Sequence, residues 1–371
     1  MSDQLAFVDL AVPGVRGLRP YEPGKPEAEL AREHGLKLAD IVKLASNENP
    51  LGPSPRAVAA IQAALPELAR YPDGNGFELK QRLSRQLGVA SQQITLGNGS
   101  NDVLEIIART FVRPKDGMVF SEHAFIVYPL LAQAIGATAQ VARARAYGHD
   151  LEAMRAAVDS TTRLVFIANP NNPTGTWLRA GELEAFIADL PRTVLVVIDE
   201  AYIEYVDEPE FPDAARWIGS YPNLIVTRTF SKVHALAALR MGYALSHPDV
   251  ADLLNRVRQP FNVNSLAQVA ACASLDDVDH VRQGVELNRQ GMASLESALG
   301  ELGLTWIPSV GNFLTVDFGR PAGPIYQAML GEGVIVRPIA GYGMPNHLRI
   351  TVGTPTENAR CVTALRKVLA G

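Results

Sequence analysis

The chain has 371 residues, 47% of them hydrophobic and 20% charged, enough for about two domains with buried cores. With 34 Lys and Arg against 39 Asp and Glu, the formal net charge is −5, which excludes a basic nucleic-acid footprint. Two cysteines, Cys272 and Cys361, cannot build a disulfide framework or a four-ligand zinc site, so a reduced, cytoplasmic setting is expected. Residues 1–10 lack the positive region and apolar stretch of a signal peptide, and no apolar run approaches the ~18 residues of a membrane span.

The first fifty or so residues are rich in Pro and Gly and read as an extended arm with one short helix around Glu27–His34. Ser54 and Pro55 open a helix with a serine cap and a proline in its first turn, and Val58, Ile61 and Leu65 form its expected apolar stripe. Phe77–Leu87 is a second helix, stopped by Gly88, and 101–111 a third with Val103, Leu104, Ile107, Ala108 and Phe111 on one face. Three short apolar runs, 163–168, 193–198 and 224–227, then read as buried parallel strands. Helical patterns at 180–190 and 213–220 separate them, which predicts a doubly wound α/β layer with right-handed crossovers.

Beyond about residue 265 the texture changes. Helices at 266–273 and 278–299 precede strands at 313–318, 334–337 and 348–352, and 357–369 forms a last helix. Leu348, Ile350 and Val352 alternate with Arg349 and Thr351, the pattern of a sheet with one face buried. The expected organisation is an arm over 1–45 that joins part of a small domain, a large domain over 46–265 and a small α+β domain over 266–371.

In an open parallel sheet, ligands bind beyond the carboxyl ends of the strands. The first run is followed by Asn169-Pro-Asn-Asn-Pro-Thr-Gly175, the second ends in Asp199-Glu-Ala-Tyr202, and the third leads into Thr229-Phe-Ser-Lys232. Amide, carboxyl, phenol, hydroxyl and amine groups therefore converge on one edge. Gly97-Asn-Gly99 has Asp102 in place of the third glycine of a dinucleotide fingerprint, and no P-loop, HExxH, GxSxG or CxxC motif is present. The seven histidines are scattered, and no metal site is expected.

A lysine at a strand end beside an acid of the neighbouring strand suits Schiff-base chemistry, because the amine must be neutral to attack a carbonyl and burial lowers its pKa. A carboxylate there can hold a pyridine nitrogen protonated, making the ring an electron sink. Gly97-Asn-Gly-Ser100-Asn101 opens a helix as a phosphate cradle would, and Thr229, Ser231 and Arg240 would add hydroxyls and a fixed positive charge. Taken singly, several of these residues also have plain readings. Asp199 suits a helix cap, Arg240 a structural ion pair, Phe125 a core position, and Arg349 a solvated strand face.

Together, the Asn169–Gly175 run, Asp199-Glu-Ala-Tyr202 and the segment from Thr229-Phe-Ser-Lys232 to Arg240-Met-Gly-Tyr resemble the fold type I pyridoxal-phosphate aminotransferases. With Arg19-Pro-Tyr21, the Lys43-to-Pro55 segment, Arg70-Tyr71-Pro-Asp-Gly and Leu348-Arg349-Ile-Thr-Val-Gly353, the resemblance extends nearly end to end and is to the histidinol-phosphate aminotransferases among them. Ala238, where many members have glycine, and Glu122-His123-Ala124-Phe125, in place of a commoner Pro-Thr-aromatic, depart from the pattern.

The resemblance implies pyridoxal 5′-phosphate as cofactor, held by Lys232 as a Schiff base, with Lys232 also moving the substrate proton. By the same route Asp199 pairs with the pyridine nitrogen, Tyr202 and Asn172 bind the phenolic oxygen, and Phe125 stacks on the ring. Ser100, Asn101, Thr229, Ser231 and Arg240 hold the phosphate, joined by Tyr71 reaching into a neighbouring subunit of a homodimer with shared sites. Tyr21, Asn47, Arg337 and Arg349 contact substrate. The implied reaction exchanges an amino group between histidinol phosphate and 2-oxoglutarate, giving imidazole acetol phosphate and glutamate. An aromatic amino-acid aminotransferase and a decarboxylase of a phosphorylated amino acid share this framework. A ligand-sensing regulator does too, but would need a basic DNA-binding module for which this chain has no spare segment.

Overall fold

A computed structural model describes residues 7–20 and 24–370; Tyr21 lies outside them. The short strand β1 (Val42–Lys43) precedes a seven-stranded sheet made of β2 (Ile94–Gly97), β3 (Gly117–Ser121), β4 (Thr138–Ala142), β5 (Thr162–Ala168), β6 (Leu195–Asp199), β7 (Leu224–Thr229) and β8 (Gly242–Ser246). Their order across the sheet is β2-β8-β7-β6-β5-β3-β4. All run parallel except β8, which pairs antiparallel with both β2 and β7.

The three apolar runs are the adjacent central strands β5, β6 and β7, buried on both faces as helices on either side require. Helices Pro55–Ala64, Phe77–Leu87 and Ala180–Asp189 contribute to one apolar layer, and Ser100–Phe111, Val127–Ile135 and Pro248–Val257 to the other. Local signals set several ends: the Ser54 side chain accepts from the Arg56 amide, and Gly88 ends its helix at φ 67°, a left-handed conformation costly for a residue with a Cβ.

A second, antiparallel sheet has the order β12-β13-β10-β9, with β9 (Thr305–Ile307), β10 (Phe313–Asp317), β12 (Arg337–Pro338) and β13 (His347–Thr351). It shares a core with helices Val278–Glu301, Gly323–Gly331 and Pro355–Ala370. The N-terminal β1 pairs in parallel with β11 (Val334–Ile335) and so ties the arm to this smaller layer.

Several details differ from the sequence expectations. Residues 213–220 form no α-helix, only the 3₁₀ turn Ala214–Trp217, because Pro209, Pro212 and Gly219 leave too little uninterrupted chain. In helix Pro55–Ala64 the deeply buried residue is Ala57, whereas Val58 and Leu65 are exposed. The run at 334–337 divides into β11 and β12, which join different sheets. Helix Ser265–Leu275 lies beyond the expected start of the small domain, yet its Ala267, Ala270, Ala271 and Cys272 belong to the large core. Strand β13 is buried on both faces: Arg349 is covered by Asn172 and Ala45, and Thr351 by Asn47 and Leu44 of the N-terminal segment, instead of by water. Both cysteines are buried and unpaired. Among the described residues, no helix is long and apolar enough to cross a membrane, and no cluster of His, Cys, Asp and Glu could hold a metal.

Candidate active site

The carboxyl ends of β5, β6 and β7 open into a cleft roofed by the N-terminal segment and the small sheet. Asn47, Ser100, Asn101, Phe125, Asn172, Asp199, Tyr202, Thr229, Ser231, Lys232, Arg240, Arg337 and Arg349 all line it, as the sequence reading expects. Tyr71 does not: it is 83% exposed and stacks on Phe261 with ring centroids 4.8 Å apart.

Asp199 is the last residue of β6, paired in register with Thr227 of β7. Its Oδ1 accepts from the Thr227 hydroxyl at 3.0 Å and its Oδ2 from the Tyr128 hydroxyl at 3.0 Å. The carboxyl is buried, and burial raises its pKa to about 6 against the pull of those two donors. Tyr128 went unmarked in the sequence, where an aromatic on an apolar helix reads as core. The available signal was its nearness to Phe125, three residues earlier and just before helix Val127–Ile135.

Lys232 follows β7 through Phe230 and Ser231, and its Nζ donates to the Ser46 carbonyl at 3.1 Å. Burial, then the Arg349 charge, lower its pKa to about 7, so an appreciable fraction of the amine is neutral near neutral pH. The Tyr202 hydroxyl, in the same cleft, accepts from the Asn47 amide at 2.9 Å, and burial pushes the phenol up to about 12.

The turn Gly97–Ser100 brings Ser100 and Asn101 to the cleft. Gly99 has φ 88°, and a Cβ there would stand 2.4 Å from the Arg240 guanidinium; one at Gly242 would stand 2.3 Å from the Ser100 amide. At Gly242 only glycine lets the two backbones approach so closely, and at Gly99 the positive φ itself favours glycine. No side chain caps helix Ser100–Phe111, so its first amides are left beside Thr229, Ser231 and Arg240. Arg240 is itself in a left-handed conformation at φ 56°, and its Nη1 donates to the Ala237 carbonyl at 3.0 Å.

Across the cleft, Arg337 of β12 and Arg349 of β13 are cross-strand neighbours. Arg349 donates to the Asn172 side-chain carbonyl and, at 2.7 Å, to the Ala45 carbonyl, and its guanidinium lies 5.3 Å from the Phe313 ring. It is 5% exposed, so the solvated-strand reading does not hold. Four basic groups, Lys232, Arg240, Arg337 and Arg349, thus share one cleft with Asp199, an arrangement suited to a ligand with two anionic ends.

The family model for aminotransferase class I and II matches residues 39–365. Histidinol-phosphate aminotransferase 2 of Pseudomonas aeruginosa is 62% identical over 370 residues, covering 100% of both chains, and histidinol-phosphate aminotransferase 1 of Nitrosococcus oceani is 57% identical over 98% of each. The crystal structure of histidinol-phosphate aminotransferase from Sinorhizobium meliloti in complex with pyridoxal-5′-phosphate superposes with a TM-score of 0.88 at 30% identity, over 96% of this chain and 97% of that one. Aspartate aminotransferase of Thermus thermophilus, at 20% identity and a TM-score of 0.81, shares the fold. The chain belongs to the class I and II aminotransferases, in the histidinol-phosphate aminotransferase branch of that family.

Proposed function

We propose that the protein is a pyridoxal-phosphate enzyme that exchanges an amino group between histidinol phosphate and 2-oxoglutarate, giving imidazole acetol phosphate and glutamate in histidine biosynthesis. The observation that carries the chemistry is a lysine with lowered pKa beside a buried carboxylate, both at strand ends of one cleft. The donor set fits the cofactor. A buried acid held by two neutral hydroxyls suits a protonated ring nitrogen, and the glycine-lined helix start with Arg240 suits a phosphate.

When bound, pyridoxal phosphate supplies an aldehyde carbon for an amine and a protonated ring that withdraws electrons from the substrate carbon. Lys232 would provide that amine and would carry the proton at Nζ in the two half-reactions. Asp199 would keep the ring nitrogen protonated, Phe125 would pack against the ring, and Tyr202 would donate from its hydroxyl to the phenolic oxygen. The Asn172 side-chain carbonyl is engaged by Arg349, which leaves its amide N–H groups for the same oxygen. Ser100, Asn101, Thr229, Ser231 and Arg240 hold the cofactor phosphate.

Histidinol phosphate has no α-carboxylate, so its phosphate uses the anion site that also takes the glutamate carboxylate. Two adjacent arginines, Arg337 and Arg349, suit that dianion. Asn47 contacts substrate from the N-terminal side of the cleft, and Tyr21 joins it in this proposal. The enzyme acts in the cytoplasm as a homodimer, with Tyr71 completing the phosphate site of the other subunit. In support, Leu65, Leu68, Tyr71, Phe77 and Phe261 present exposed apolar surface near Tyr71.

The test is a coupled assay with histidinol phosphate and 2-oxoglutarate, with phenylalanine and tyrosine as alternative donors. Turnover of histidinol phosphate well above that of the aromatic donors is the expected result. A preference for phenylalanine would move the substrate assignment to the aromatic amino acids, and carbon dioxide release without a 2-oxo acid would replace transfer by decarboxylation.

A further inference from the structure

We infer that Tyr128 is a positioning residue for the reaction: its hydroxyl, with that of Thr227, holds the Asp199 carboxylate ionised for the ring nitrogen of the cofactor. This rests on the pyridoxal-phosphate reading of the cleft. An ionised carboxylate only accepts hydrogen bonds, so both hydroxyls must donate to it, one to each oxygen. Tyr128 is wholly buried and can do so with little freedom. Its ring is fixed independently of its hydroxyl, stacked on Phe166 with centroids 4.6 Å apart and planes 12° from parallel, and set edge-on to Phe125 at 5.9 Å. The phenol is therefore delivered to Oδ2 by apolar packing, and removing its oxygen need not move the ring.

The other ionisable groups near Asp199 do not replace this donor. Lys232 acts on it through space from the segment after β7 and is engaged with the Ser46 carbonyl, and Tyr202, which accepts from Asn47, keeps its proton for the phenolic oxygen in this reading. Burial favours the neutral acid and only the two hydroxyl donors and the Lys232 charge oppose it, so Asp199 is sensitive to the loss of one. Losing the Tyr128 donor shifts the shared proton from the ring nitrogen towards the carboxylate, and the ring becomes a poorer electron sink.

The experiment is Tyr128→Phe, read first in the apoenzyme. Infrared titration of the Asp199 carboxyl, with its band identified by its disappearance in Asp199→Asn, should show a midpoint about one pH unit higher than in the wild type. In the loaded enzyme, the NMR resonance of an isotopically labelled ring nitrogen should move towards that of a neutral pyridine. The kcat should fall about tenfold, with KM within about twofold. Thr227→Val should move the apoenzyme midpoint in the same direction. An unchanged midpoint in Tyr128→Phe overturns the proposal, whether or not that variant still loads cofactor; so does an unchanged resonance in a loaded variant. The underlying reading is judged separately, by whether borohydride fixes the cofactor on Lys232 of the wild-type protein.

Discussion

Lys232 and Asp199 are shifted in opposite directions by the same cause: burial disfavours the charged form of each, which lowers the amine to about 7 and raises the acid to about 6. The lysine shift has consequences for stability and for cofactor capture. In the cofactor-free protein the folded lysine loses its proton near pH 7, while the unfolded chain keeps it to about 10.5. Between those values the unfolded state binds more protons, so this group's contribution to stability rises with pH; its penalty is complete below about 7 and gone above about 10.5. Apo Lys232→Met should therefore resist urea better than the wild type at pH 6 to 7, and the gap should close towards pH 10.5. Cofactor capture by the wild type, followed by absorbance, should rise with a midpoint near pH 7 in place of one near 10.5, because only the neutral amine attacks. Arg349→Ala makes a separate prediction about substrate. If one anion site serves both partners, KM for histidinol phosphate and for 2-oxoglutarate should each rise at least about tenfold in steady-state assays. An effect on neither would remove Arg349 from the substrate site.

At the scale of elements, the site depends on where strands end and where one helix begins. Gly99→Ala puts a Cβ against the Arg240 guanidinium at a backbone angle that favours glycine, so the anion cradle should be deformed while the sheet persists. Affinity for pyridoxal phosphate, measured by equilibrium titration of the apoenzyme, should fall about tenfold or more, and affinity for unphosphorylated pyridoxal should change little. Behind the site, Glu200 and Arg228 form a buried ion pair at 2.7 Å that joins the ends of β6 and β7, and Arg228 also pairs with Asp213 at 2.6 Å. Arg228→Met would leave Glu200 buried without its cation and should cost about 3–5 kcal/mol by denaturant unfolding. These elements were not equally legible in the sequence. β5, β6 and β7 announce themselves because strands covered on both faces must be apolar throughout, and their final polar residues mark the cleft. β4 does not: as an edge strand it is largely exposed, and Thr138 and Gln140 interrupt its hydrophobic signal. The reversed direction of β8 is not marked locally: Gly242–Ser246 turns back on β7 across residues 230–241, which carry no tight hairpin turn, and its other partner, β2, is remote in sequence. Arg349 and Thr351 alternate with apolar residues as a half-solvated strand would; their burial arises from partners remote in sequence, Ala45 and Asn47 of the N-terminal segment and Asn172 after β5. Tyr128 was hidden in the same way, as its hydrogen bond to Asp199 crosses 71 positions.

At the scale of the whole molecule, the distribution of exposed apolar side chains bears on assembly. Leu65 and Leu68 precede Tyr71, Phe77 follows it, and Phe261 stacks on it, all with substantial exposure. The Tyr71 and Phe261 segments are further joined by Arg258, whose Nη2 donates to the Gly74 carbonyl at 2.7 Å. Such a surface around a residue expected to serve a phosphate site, yet absent from the lining of its own cleft, is explained if a second copy covers it. Charge at the face should separate the proposed subunits: the wild type is expected to sediment as a dimer, and Leu68→Glu combined with Phe77→Glu as a monomer. Sharing of sites is tested by mixing. Chains with Tyr71→Ala and chains with Lys232→Ala are each expected to be nearly inactive. In a mixed dimer, the chain that retains Lys232 is completed by the other chain's Tyr71, so one of the two sites is intact. Random exchange makes half of the dimers mixed, and activity should recover to about a quarter of the wild-type value. If Tyr71 served only its own chain, the mixed dimers would contain no complete site, and mixing would restore nothing.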